Sequence, residues 1–285
     1  MPTVASGLFR SLFDDASLFP PAELKMADAL AAHQRHQTAW YREMSGPFVC
    51  PDPKITGLAA ALTASAVAEL DLALTVPGGS ASLDAAVDAV FAEPRLRLRA
   101  IEVPIGPASS ADAVAELVAA LDRTPLAGAT AFVEIPPSQL TKDSLRLLAD
   151  HGYLAKLRTG GVTAGAFPSE QGLAGCLTEL TAQRVPFKCT AGLHHAVRHR
   201  AADTGFEHHG FLNVLLAVAA ALDDRSSDEV ASVLAATNAR QVATVVAGVD
   251  ADTAAAVREL FTSFGTCSTD KPITDLVTLG LVTGN

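Results

Sequence analysis

The chain has 285 residues, 49% of them apolar and 18% charged, with a formal net charge of −10. That is length enough for one large domain with a sizeable core, and too apolar a composition for a disordered chain. An acidic balance without a Lys/Arg stripe excludes a nucleic-acid footprint, and the longest apolar run, residues 211–222, is too short to span a bilayer and is interrupted by Asn213. The partners that remain are small molecules and other protein chains, further copies of this one included.

Residues 1–46 read as an arm and a helix packed on the body. The first 20 or so look irregular, with Phe9, Phe13, Leu18 and Phe19 available for packing, and Pro20-Pro21 then open a helix running to about Met44. His33 and His36 lie three apart on one face of it and have no acidic or cysteine partner nearby, so they read as half-exposed surface histidines. The segment MPTVASGLFRSLFDD lacks the basic and apolar regions of a signal peptide, and Cys50, Cys176, Cys189 and Cys267 show no CxxC spacing. Both features point to a reduced, cytoplasmic protein.

From residue 47 a repeat sets in. Short apolar runs end alike, as FVCP at Pro51, LTVP at Pro77, IEVP at Pro104 and VEIP at Pro136, and proline suits a strand end because it cannot donate to the ladder. Helix-like segments at about 55–62, 83–91, 111–121 and 142–149 alternate with them, Ser and Thr standing near their starts as caps. Strands at 154–158 and 187–190 continue the rhythm around a helix starting near Pro168-Ser169, which makes six β–α units over 47–195. Regular alternation without a GxGxxG turn predicts a TIM-type (β/α) barrel as a single domain over 47–285.

Residues 196–285 read as mainly helical: 211–222, a capping box at Ser226-Ser227-Asp228-Glu229 before 230–236, then 240–247 and 253–264. Strands seven and eight therefore hide in 211–218 and 273–282, or are absent and the barrel is incomplete or distorted.

Aligning the strand ends puts Val49, Thr75, Glu102, Glu134, Lys156 and Lys188 in one column, with Arg158 and Thr190 two residues further on. The neighbours of Lys156 do not settle which face is interior. If the column points inward, two carboxylates and two or three cations meet at the carboxyl ends of adjacent strands, where barrels of this class keep their active sites. The loops Thr159-Gly160-Gly161 and Thr190-Ala191-Gly192 suit close backbone approach to a phosphate or carboxylate. A lysine desolvated beside a second cation can be a neutral amine, as Schiff-base chemistry requires, with Glu102 and Glu134 moving protons.

AKLRTGG and FKCTAG resemble the two lysine strands of the class I deoxyribose-phosphate aldolases, a (β/α)₈ family whose strands carry Lys-Thr-Ser-Thr-Gly and Lys-Ala-Ser-Gly-Gly. The resemblance covers about Tyr153 to Gly192. It implies a Schiff base on Lys156 perturbed by Lys188. Arg158 stands where the family has a small hydroxyl residue, and the family's acidic relay residue has no clear match.

After the second lysine strand come His194, His195, Arg198, His199, Glu207, His208 and His209. His195 and His199, four apart, would share a helix face, and His208 or Glu207 could complete a three-ligand zinc site with an open position for water. The other reading makes them pocket residues that hydrogen-bond or transfer protons, with His194 catalytic and His195 on the substrate because they follow the strand end directly.

The expectation is an enzyme of lyase or aldolase type, without cofactor, acting on a small anionic carbonyl compound through a lysine imine. Its groups are Glu102, Glu134, Lys156, Lys188 and His194, with Arg158, Thr159, Gly160, Gly161, Thr190, Gly192 and His195 gripping the substrate. The alternatives are a hydrolase or isomerase using a divalent metal such as zinc on His195, His199 and His208, and a non-catalytic barrel that binds a metabolite or a protein.

Overall fold

The computed structural model describes residues 5–106 and 112–284. Eight parallel strands close into a barrel: β1 (Phe13–Asp15), β2 (Ser45–Pro51), β3 (Leu70–Thr75), β4 (Leu96–Pro104), β5 (Thr130–Glu134), β6 (Leu154–Arg158), β7 (Phe187–Thr190) and β8 (Phe261–Thr266), each paired with its neighbour in sequence and β8 with β1. The repeat read between residues 47 and 195 therefore supplies strands two to seven. Its helices follow: Ile55–Thr63, Leu83–Phe91, Ala113–Arg123, Lys142–His151 and Glu170–Ala182. The predicted start of the third, at residue 111, lies outside the described residues. Thr141 caps Lys142–His151 in a reciprocal box with Ser144, and Ser169 caps Glu170–Ala182.

The two closing strands come from places the pattern did not mark. Phe13–Asp15 lies within the supposed arm, so the barrel takes its first strand from before residue 47. Phe261–Thr266 begins within the predicted helix 253–264, which in fact ends at Leu260. Apolar residues at 257, 260, 261 and 264 fit a helical stripe and FTSFGT carries no strand alternation, so only pairing with β7 and β1 decides. The runs proposed to hide strands are helical, Phe211–Leu222 and Asp270–Thr278. Three further helices, Ser227–Leu234, Ala239–Ala247 and Ala251–Leu260, are inserted before β8, which accounts for the helical last third.

The helix expected from Pro20 to Met44 is Met26–Thr38 followed by a 3-10 turn, Arg42–Met44. Its histidines are buried, contrary to the surface reading: His33 Nδ1 is 3.0 Å from Asp15 Oδ2, and His36 Nδ1 is 2.9 Å from the Tyr41 hydroxyl. Among the described residues no single helix is long and apolar enough to cross a membrane. Asn213, the polar break in the apolar 211–222 run, is fully buried and ties three backbones together. Its amide donates to Val233 O and Ala236 O, and its carbonyl accepts from Arg198 N.

Most of the core lies between strands and helices. Inside the barrel Val49, Ala73, Ala100 and Phe132 pack together with Ala16, Phe19 and Leu154 against them. Side chains alternate along a strand, so residues two places on from this layer also face inward. Those are Thr75, Glu102, Glu134 and Lys156, and the charged column therefore points into the barrel.

Candidate active site

The strand tilt of a closed barrel staggers the column. Thr75 is level with Glu102, and Glu134, Lys156, Lys188 and Ser263 are level with one another, but Glu102 is level with Phe132, one inward step below Glu134. Val49 likewise sits beside Ala73, below Thr75. Glu102 thus lies beneath the two lysines rather than beside them, and both reach it.

The result is a chain of alternating charges running from the barrel mouth inward. The half-exposed Arg158 lies with Nη1 3.3 Å from Glu134 Oε1, and Glu134 Oε2 lies 2.8 Å from Lys156 Nζ. Lys156 Nζ is 2.7 Å from Glu102 Oε2, and Glu102 Oε1 is 2.5 Å from Lys188 Nζ. Lys188 then donates to Asp14 Oδ2, which also accepts from Ser263 Oγ at 2.7 Å. The Lys188 ammonium stands 5.2 Å from the centre of the Phe132 ring, a further source of attraction for a buried cation. Three carboxylates and three cations cancel, which is how a barrel interior tolerates them.

Burial follows the same order. Lys156 is 5% exposed, Glu102 2% and Lys188 1%. Burial works against the charge on Lys188, but Asp14 and Glu102 outweigh it and raise its pKa, so the ammonium is held. Burial also opposes ionisation of Glu102, yet Lys156 and Lys188 bring it down to about 2. Asp14 goes the other way: burial raises its pKa, and Lys188 and Ser263 only partly offset that. The reading of Lys188 as an amine depressed by Lys156 fails, because a carboxylate stands between the two amines.

Asp14 and Ser263 were not anticipated, since each lies on an unrecognised closing strand. The available signal was FDDA, two acids between apolar residues; FTSFGT offered none. Gly46 belongs with them. A Cβ there would lie 2.2 Å from Asp14 Oδ1, so the carboxylate leans over a position that has no side chain.

The two small-residue loops hold each other. Thr159 is fully buried, its N–H donates to Thr190 O at 2.9 Å and its hydroxyl to Ala191 O at 2.5 Å. Gly192 has φ +83°, and a Cβ on it would stand 2.6 Å from Thr159 O. Gly160 meets Gly192 Cα and Phe167 as closely, and Gly161 faces Ala166. The glycines therefore allow the two loops to approach each other closely.

The histidines form a second group. His195 and His199 do not share a helix: His195 lies in the loop after β7, and His199 in a two-residue antiparallel pairing of His199–Arg200 with Glu207–His208. Their rings still meet, His195 and His199 at 4.7 Å between centres and His199 and His208 at 5.2 Å. His194 Nδ1 is 3.3 Å from Thr266 Oγ1 and 3.7 Å from Cys267 Sγ. Burial raises the pKa of the Cys267 thiol and pushes that of Cys189 further up, which suits packing and not nucleophilic attack. Among the described residues no three His, Cys, Asp or Glu side chains are placed to hold one metal ion.

No family model matches this sequence, and no curated protein matches it. Among solved structures, Yersinia pestis DHPS with a pterine-sulfa conjugate aligns at a TM-score of 0.45 and 10% identity over 95% of this chain and 93% of that one, a likeness of outline that identifies no residue of the site.

Proposed function

We propose that this barrel is an enzyme of lyase, aldolase type that acts on small anionic carbonyl compounds through an imine on Lys156. The observation that carries the reading is the position of Lys156 in the charge chain. Its amine lies between Glu102 and Glu134, 2.7 and 2.8 Å away, and Glu134 is the more exposed of the two acids. Lys188 is enclosed by Asp14, Glu102 and Phe132, so it supplies a fixed positive charge. This division matches the one implied by the resemblance to the two lysine strands of class I aldolases.

In this mechanism Glu134 takes a proton from the Lys156 ammonium, and the free amine attacks the substrate carbonyl carbon. The carbinolamine oxygen leaves as water after protonation by Glu134, giving an iminium. Glu134 then takes the proton of the hydroxyl on the carbon β to the iminium as the α–β carbon–carbon bond breaks; its electron pair forms the enamine double bond, the C=N pair moves to nitrogen, and one carbonyl product is released. Protonation at carbon and addition of water then release the second product and restore the amine. Arg158, exposed at the mouth, attracts the anion as it enters.

Borohydride reduction in the presence of a panel of small aldehydes and ketones, followed by intact mass and peptide mapping, tests this. An adduct on Lys156 that is lost in Lys156→Ala is expected. No adduct across the panel would overturn the reading and leave a metabolite- or protein-binding barrel whose charges hold it together.

A further inference from the structure

Four imidazoles gather on the segment that follows β7, beside the end of β8, at the carboxyl end of the barrel. His195, His199 and His208 form a row of touching rings, Phe167 lies 4.4 Å from His208, and His194 stands over the end of β8. All four are partly exposed. In three of them Nδ1 is committed inward. His199 donates to Val197 O at 3.2 Å, His208 to Gly192 O at 3.3 Å, and His195 to the Asp275 carboxylate at 3.0 Å, which also accepts from Ala196 N. A ring whose Nδ1–H faces a carbonyl carries its lone pair on Nε2 when neutral. The Nε2 atoms of these three rings and of His194 have no partner among the described residues.

A row of Nε2 lone pairs repels an oxyanion until each ring gains a proton, and then presents N–H donors carrying positive charge. The groups around the row set the balance. Lys271 is the nearby cation, Asp275 lies beside His195 and His199, and Asp203 lies near His208. Arg198 is occupied by Glu170 and Glu207, and His209 by Pro168 O. Burial and then Lys271 hold His194 down at about 4, and burial also lowers His199 and His208. Burial thus disfavours the charged form of His194, His199 and His208, and an anion beside them would favour it.

We propose that His194, His195, His199 and His208, with Lys271, form a subsite for the phosphate or carboxylate end of a ligand, and that this subsite takes up protons as the anion binds. The proposal rests on reading this end of the barrel as the substrate face, and it does not require the imine.

Calorimetric titration of the full chain with inorganic phosphate, and separately with acetate, in buffers of different ionisation enthalpy is the test. Saturable binding with proton uptake that weakens as pH rises through neutrality is expected, with the preferred anion distinguishing a phosphate seat from a carboxylate seat. His199→Gln, His208→Gln and Lys271→Gln should each weaken binding about tenfold, the worth of one charge-assisted contact. The same variants should still form a borohydride-trapped adduct with an uncharged aldehyde, so a failed imine and a failed anion subsite give different results. Histidine ring resonances of the unaltered chain that shift on adding phosphate support the site even where a variant fails to fold. Absence of anion binding, binding without proton uptake, or stoichiometric zinc binding lost in the same histidine variants would overturn it.

Discussion

The lysine column and the histidine row both place titratable side chains at the carboxyl end of one barrel, yet they solve opposite problems. In the column every charge is already matched: Glu102 has two ammonium partners, and Lys188 two carboxylates and a ring face. Its charges exist before any ligand arrives. The row is half open to solvent, and its rings spend one nitrogen on the protein and leave the other unpaired. The difference teaches that burial with partners fixes a charge state, whereas burial without them leaves it to be set by what binds.

That contrast can be broken most severely at Lys188. Lys188→Met would strand Asp14 in the interior, leave Glu102 with Lys156 alone, and should cost about 3–5 kcal/mol in urea unfolding. A near-neutral result would mean that the column is solvated. Acid probes the same charges without mutation. Because Glu102 is lowered from 4.5 to about 2, its contribution is complete above about pH 4.5 and disappears as pH falls toward 2. Unfolding measured stepwise over that window should show a loss of a few kcal/mol, smaller in Lys188→Met.

Milder changes sharpen the comparison. Gly46→Ala would push a methyl group onto the Asp14 carboxylate, which Lys188 and Ser263 hold in place, and should cost about 1–3 kcal/mol by thermal unfolding. Ser263→Ala removes one donor to Asp14 and should cost about 1 kcal/mol by the same measurement, with the trapped adduct still on Lys156. In the row, Asp275→Asn touches a partly exposed pair and should change stability by less than about 1 kcal/mol. A loss at Asp275 as large as that at Lys188 would remove the distinction between the two regions.

Sequence by itself determined the middle of this protein. Strands at 154–158 and 187–190 and the helices after them are where periodicity, capping residues and strand-end prolines put them, because those signals come from neighbours a few residues apart. It also identified Glu102, Glu134, Lys156 and Lys188 as a group, since each breaks an apolar run at the same point, with Arg158 two residues on. Only the tertiary structure decided how the barrel closes. β1 has three residues and β8 continues a helical stripe, so neither carries a local pattern strong enough to identify it, and both exist because each completes the other's hydrogen bonding. With them came Asp14 and Ser263, and with the stagger came Glu102 set below the lysines, where one carboxylate reaches two amines. Register between strands is a property of closure and tilt, and a sequence read one strand at a time does not contain it.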